Sequence, residues 1–275
     1  WTTGTTRNTG YGCIKGGVIL LRPLVCFYSG VDTRITPLGL LGLKDGTRIN
    51  LSDWAIDESA SVLSVQPAVI VVAGTSMNAG KTTTAAYLIK GLIHSGLRVG
   101  AAKVTGTGSG NDLWALIDAG ASPVLDFTDA GMASTYRVEP VLLEKAANKL
   151  INYVAAEGVD VVVVEIADGL LQEETAILLS SATFRERIDG IMFAAADSMG
   201  AAHGISWLSS RNHKVFAISG LISTSPLAMR EAAAITGLPI LTKAELLENN
   251  VVVRMALRQQ IQRDKCSGVS IDAVA

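Results

Sequence analysis

Lys81 and Thr82 follow Gly80 directly, and the β-branched run Val69 to Val72 leads into the loop Gly74-Thr75-Ser76-Met77-Asn78-Ala79-Gly80 that precedes them. An alanine-rich segment with helical character continues from Thr83. Strand, glycine-bounded loop and helix, in that order, is the setting in which Gly-Lys-Thr holds phosphate. Backbone N–H groups of the loop and of the first helical turn converge on the anion, and the helix dipole adds to their pull. Lys81 would reach the β- and γ-phosphates, and the Thr82 hydroxyl would ligate Mg²⁺. Gly80 lets the backbone approach the phosphates with no Cβ in the way. The expected nucleotide-binding set is therefore Gly74, Thr75, Ser76, Met77, Asn78, Ala79, Gly80, Lys81, Thr82 and Thr83. Five residues separate Gly74 from Gly80, one more than in the common pattern. A glycine-containing turn that binds nothing would not call for both the lysine and the threonine.

Further candidates stand at the ends of other aliphatic runs. Lys103 closes Val99–Val104, where a buried ammonium needs a partner; a phosphate or a substrate carboxylate supplies one, and reaching to solvent is the alternative. The Gly-, Thr- and Ser-rich stretch that follows reads as a flexible loop with many donors. Asp112 lies near a helix start, and on spacing alone capping and metal binding stand equal. Glu165 ends the run that begins at Asp160, at the place of an acid that holds Mg²⁺ directly or through water, with Asp168 as a weaker second. Glu173 and Glu174 read as solvated on a polar loop. Asp126, Asp129, Ser134 and Thr135 could meet a polar substrate or form an ordinary Asx-turn loop. Asp197 reads as a helix cap. His94, His203 and His213 lack the companions of a metal site.

These residues need a scaffold that gathers strand ends. Strands are expected at 68–73, 99–104, 124–127, 159–166, 190–195, 215–219 and 239–241, with helices at 81–95, 111–119, 140–157, 198–210, 226–236 and 243–263. Gly96, Gly120, Gly158 and Gly237 supply left-handed helix ends. Such alternation predicts an α/β fold with a doubly wound, mostly parallel sheet carrying a phosphate loop, preceded by a small β-rich subdomain. Ligands in such sheets bind beyond the strand carboxyl ends. The expected division is a β-rich subdomain and linker over 1–66, with a hairpin turn at Lys44–Thr47; an α/β domain over 67–263; and a flexible tail over 264–275. The chain starts at Trp1, so the N-terminal piece is expected to continue upstream in a longer chain or to be complete as it stands.

Nearly half of the 275 residues are hydrophobic, 49%, and only 5% are aromatic, which fits parallel strands buried on both faces. A net charge of −2 gives no basis for a nucleic-acid or membrane surface. The apolar segment 17–28 is interrupted by Arg22-Pro23 and reads as a strand, not a membrane span. Cys13, Cys26 and Cys266 match no metal or disulfide pattern, so a reducing cytoplasmic setting is expected.

The five-residue gap in Gly74–Gly80-Lys81-Thr82 resembles the phosphate loop of dethiobiotin synthetase and its cobyrinic-acid amidase relatives. Ala102-Lys103-Val104 is similar to that family's strand ending in Lys-Pro-Val, Asn111-Asp112-Leu113 to the segment with its Mg²⁺ aspartate, and Val164-Glu165 with Gly169-Leu170-Leu171 to the segment with its Mg²⁺ glutamate. The resemblance, over roughly residues 68–241, implies ATP and Mg²⁺ as cofactors, Lys81 and Lys103 as catalytic groups, Thr82, Asp112 and Glu165 at the metal, and a homodimer. Ser76 replaces the family's loop aspartate, and Ser219-Gly220 stands where its adenine-contacting asparagine is expected. The wording Lys103–Gly108 and Asp126–Gly131 also resembles an uncharacterised P-loop group related to D-glutamate N-acetyltransferases. The function expected is an ATP- and Mg²⁺-dependent ligase forming an acyl or carbamoyl phosphate on a small-molecule substrate. The alternatives are an N-acyltransferase whose loop holds coenzyme A, and a nucleotide-dependent regulatory switch.

Overall fold

The computed structural model describes residues 11–14, 17–20, 42–57, 66–108 and 110–248. Expectations for the remaining N-terminal residues, for the linker at 58–65, for the helix beyond 248 and for the tail lie outside the described residues. Near the N-terminus, β1 (Tyr11–Ile14) and β2 (Gly17–Leu20) pair antiparallel. The expected turn at Lys44–Thr47 is present: Gly42 and Arg48 bridge antiparallel, Gly46 takes φ 88°, and the Asp45 carboxylate accepts from the Thr47 amide at 2.9 Å.

The body of the chain is a six-stranded sheet, parallel throughout. Its strands are β3 (Ala68–Gly74), β4 (Val99–Lys103), β5 (Val124–Asp126), β6 (Val161–Glu165), β7 (Gly190–Ala194) and β8 (Val215–Ser219), in the order β5-β4-β6-β3-β7-β8. The doubly wound α/β expectation holds. The alternation of side chains along β3 shows why. Val69, Val71 and Ala73 enter one apolar cluster with helices α3 (Pro140–Ala156), α6 (Ser198–Ser209) and α7 (Pro226–Thr236). Ala68, Ile70 and Val72 enter another with α1 (Lys81–His94), α2 (Asn111–Asp118) and a short helix at Lys243–Glu248. A strand buried on both faces has no polar side, so its sequence is an unbroken aliphatic run.

Two expectations are corrected. The segment 239–241 contributes only a bridge, Ile218 to Ile240, since Pro239 has no N–H to donate to a ladder. The polar loop expected around Glu173 and Glu174 is helical, α4 (Glu173–Ser180), followed by α5 (Ala182–Arg187). Gln172 caps α4 by accepting from the Thr175 amide at 3.0 Å, a cap type that sequence preferences do not flag. Glu174 is buried, not solvated; it accepts from the Arg137 amide and from the Gln172 side chain. Among the described residues, no helix is long and apolar enough to cross a membrane.

Candidate functional site

The strand order puts β3 between β6 and β7, with β4 beyond β6, so the carboxyl ends of β3, β4 and β6 lie side by side. The loop leaving β3 is fixed before any ligand arrives. The Thr75 amide donates to the Ala194 carbonyl at 3.0 Å, and the Leu221 amide donates to the Ala79 carbonyl at 3.0 Å. Gly169 and Gly220 press on the loop from either side: a Cβ on Gly169 would lie 2.2 Å from the Thr75 oxygen, and one on Gly220 2.3 Å from the Ala79 oxygen. Asn78 and Gly80 take positive φ, 63° and 93°, and turn the chain into α1. The result is a loop whose backbone is preset by its neighbours, the setting in which a backbone nest receives an anion.

Lys81 is buried and its Nζ donates to the Ser76 carbonyl across the loop at 2.8 Å. Burial pulls its ammonium below the usual lysine range, Glu165 and Asp168 push it back up, and Lys103 lowers it further. The Thr82 hydroxyl lies 2.7 Å from Glu165 Oε1 and 3.2 Å from Asp112 Oδ1. Lys103 is also buried and pairs with the Asp112 carboxylate. The partner is thus a side chain of the chain itself, where a ligand or solvent was expected. Asp112 does not cap its helix: Gly110 holds that position at φ 76°, and Asp112 turns toward Thr82 and Lys103. Thr82, Asp112, Glu165, Lys81 and Lys103 are thus brought together from four segments of the chain.

One atom in this group stands out. Glu165 is 2% exposed, and its Oε2 has no hydrogen-bond partner among the described residues. A buried carboxylate oxygen left in this state costs free energy unless something cationic meets it. Among the described residues no three His, Cys, Asp or Glu gather as a metal group. The donors present are one hydroxyl and two carboxylates, all hard oxygens; such a set suits Mg²⁺ completed by phosphate oxygens and water, and does not suit zinc.

The cleft around this group has a volume of about 640 Å³ and runs from the phosphate loop past Lys103, Gly106, Thr107 and Gly108 to Ala167 and Asp168. Its far wall is better ordered than the glycine-rich sequence predicts. Thr107 bridges to Ser134, Gly108 N–H donates to the Ala133 carbonyl at 3.1 Å, and Gly106 N–H donates to Thr135 Oγ1 at 2.9 Å. The Asp126–Asp129 segment is an Asx-turn, Asp126 accepting from the Thr128 amide at 2.7 Å. Beyond Gly80 lies a smaller recess of about 70 Å³, lined by Thr83, Thr84, Ser219, Gly220, Thr224 and Lys243 among others. Ser219 is committed there, donating to the Leu241 carbonyl at 2.8 Å.

The remaining candidates fall away from the cleft. Asp197 caps α6 through the Gly200 amide at 2.7 Å, as expected. His94 and His203 are exposed, and His213 is buried against the Leu179 carbonyl. Sequence reasoning missed Thr105, whose hydroxyl accepts from the Ala167 amide at 2.8 Å, and the two clamping glycines. The glycines had a readable signal, since each stands just past a strand end.

The family described as "Molybdopterin guanine dinucleotide synthesis protein B" (MobB) matches residues 69–174, less than half of the chain. No curated protein matches it. Among solved structures, it is similar to the signal recognition particle 54 kDa protein of Aeropyrum pernix K1 in complex with GDP, with 20% identity, a TM-score of 0.47 and coverage of 79% of this chain and 53% of that one. It is similar to the signal recognition particle receptor FtsY of Elizabethkingia anophelis in complex with GDP, with 15% identity, a TM-score of 0.48 and coverage of 74% and 69%. A DUF1611 family protein of Anabaena variabilis gives 15% identity, a TM-score of 0.49 and coverage of 82% and 63%. The chain thus spans about half the length of the first of these, 53%. The family match takes in β3, the phosphate loop, Lys103, Asp112 and Glu165, and with the parallel sheet it makes this a P-loop nucleotide-binding protein of the NTPase fold.

Proposed function

We propose that the protein binds a Mg²⁺–nucleoside triphosphate in the phosphate loop and transfers the γ-phosphoryl group to a small-molecule acceptor in the adjoining cleft. The observation that carries this reading is the orphaned Glu165 Oε2 beside Thr82 and Asp112. Loop amides and Lys81 would bind the β- and γ-phosphates, and Lys103 would turn from Asp112 toward charge developing on the transferred group. Thr82, Asp112 and Glu165 would hold Mg²⁺, which supplies charge neutralisation at the phosphates. A carboxylate or carbamate acceptor would give the acyl phosphate of a ligase, and a hydroxyl acceptor would give a phosphate ester. The recess beyond Gly80 is the place for the base. Among the described residues no carboxylate lines it to accept the paired donors of guanine, so ATP is the nucleotide proposed, and GTP, in line with the matched family's description, is the competing arm.

Calorimetric titration with ATP, GTP and acetyl-CoA, each with Mg²⁺ and with EDTA, tests the reading. Mg²⁺-dependent binding of a nucleoside triphosphate is expected, and Lys81→Ala should weaken it about 100-fold, the worth of one such charged contact. Metal-independent binding of acetyl-CoA alone would favour the acyltransferase and overturn it.

A second reading, a nucleotide-dependent switch, draws support from the loop's surroundings. Met77, Leu171, Met199 and Leu221 are all exposed large apolar side chains. Each is tied to the loop: Met77 and Leu221 line the cleft with it, and the neighbours of the other two, Gly169 and Gly200, pack on Thr75. Such a rim could meet a partner or a second copy in a homodimer. Nucleotide-dependent dimerisation in sedimentation, with no stimulation by metabolites, would support it.

A further inference from the structure

Asp168 has no part in the phosphate or metal roles above, yet it is held more firmly than either would require. Its φ is 60°, in the left-handed region that side chains other than glycine avoid. Neighbouring bonds prevent relaxation. The Ala167 amide donates to Thr105 Oγ1 at 2.8 Å, the Thr175 hydroxyl donates to the Ala167 carbonyl at 2.9 Å, and Gly169 is wedged against the Thr75 carbonyl. The residue therefore cannot flatten without moving the phosphate loop. Its carboxylate is half-buried, lines the cleft beside Lys81 and Lys103, and accepts no hydrogen bond from the described residues. Its charge opposes the lowering that burial imposes on the Lys81 ammonium. Backbone strain that the surroundings over-determine is found where geometry serves function.

Each other charge in the cleft is already spoken for. Lys81 meets the loop, Lys103 meets Asp112, and Asp112 and Glu165 converge on Thr82. We propose that Asp168 is the general base for the acceptor, and that the acceptor carries a proton to give up: a hydroxyl or an amine, not a carboxylate. A carboxylate acceptor has no such proton and would be repelled by Asp168. The inference rests on the phosphoryl-transfer reading of the same site. In the step, the acceptor oxygen or nitrogen forms a bond to the γ-phosphorus. The bond from phosphorus to the β–γ bridging oxygen breaks, its electron pair leaving on the nucleoside diphosphate, and the acceptor's proton passes to the Asp168 carboxylate.

The test uses the full chain with γ-labelled ATP, Mg²⁺ and water as the acceptor, under single-turnover conditions. Asp168→Asn keeps a residue type that tolerates left-handed backbone, and Asp168→Gly removes the strain altogether. Both should lose about 100-fold in the rate of phosphate release, the usual worth of a general base. Affinity for Mg²⁺–ATP should stay within about twofold, because uniform binding is untouched. The glycine variant should melt no lower than wild type. A variant that hydrolyses at the wild-type rate overturns the inference, as does one whose affinity falls as far as its rate. Wild-type protein that binds Mg²⁺–ATP and releases no phosphate overturns it too, since a base set beside the γ-phosphate activates water. Wild-type protein that binds no nucleotide overturns the reading of the whole site instead.

Discussion

Glu165 has two oxygens in different circumstances. Oε1 receives the Thr82 hydroxyl at 2.7 Å, while Oε2 is buried with no hydrogen-bond partner among the described residues. On the proposed reading, a bound cation and not the fold offsets that burial. Glu165→Gln keeps the shape and removes the buried charge, so the free protein should melt at or above the wild-type temperature. The stabilisation that Mg²⁺–ATP gives to wild type, about 2.7 kcal/mol at a hundredfold excess over the dissociation constant, should largely vanish in the variant. Paired thermal melts, with and without nucleotide, check both halves; a variant that melts well below wild type without nucleotide contradicts the account. At this scale the sequence was legible where a charge ends an aliphatic strand, because position alone makes Lys103 and Glu165 expensive, and at Lys81 through the Gly-Lys-Thr motif. It offered Asp168 only as a second Mg²⁺ acid and read Glu174 as solvated. Their meaning comes from a backbone angle in one case and from the distant amide of Arg137 in the other.

The phosphate loop is an element whose shape is imposed by its neighbours. Gly169 comes from the segment after β6 and Gly220 from the segment after β8, and both touch carbonyls of the loop. Gly220→Ala adds a Cβ 2.3 Å from the Ala79 oxygen at a φ of 93°, so two penalties fall on one residue. The Leu221 amide to Ala79 carbonyl bond should open, with a loss of about 2 kcal/mol in stability and a larger proportional loss in nucleotide affinity. Urea unfolding and calorimetry measure the two, and equal losses in both would show that the loop adapts. Elements were readable where periodicity or a glycine stop marked them, which covers α1, α2, α3, α6 and α7. α4 and α5 escaped notice because they are short, open on Gln172 and Ser181, and pack on α3 and on each other, not through a strong apolar repeat of their own.

The order β5-β4-β6-β3-β7-β8 makes one edge of the sheet the meeting place for every charged group of the site. That arrangement needs the connections on the opposite edge to stay closed, and His213 contributes there. It lies between α6 and β8, is 7% exposed, and its Nε2 lies 2.6 Å from the Leu179 carbonyl at the end of α4. Burial holds its imidazole below the usual histidine range, the Leu179 carbonyl opposes this, and Arg185 and Arg211 add to the depression. The folded protein thus keeps His213 neutral while the unfolded chain protonates at the ordinary value of 6.5. Below that pH the unfolded state binds more protons, so stability is intact above it and falls as pH drops toward the depressed folded value. Melting temperatures at pH 7.5, 6.5 and 5.5 should decline for wild type. His213→Gln retains a donor for the Leu179 carbonyl but cannot titrate, so its decline should be shallower, though it starts from a lower melting temperature at pH 7.5. Parallel declines in the two proteins would assign the acid sensitivity to other groups.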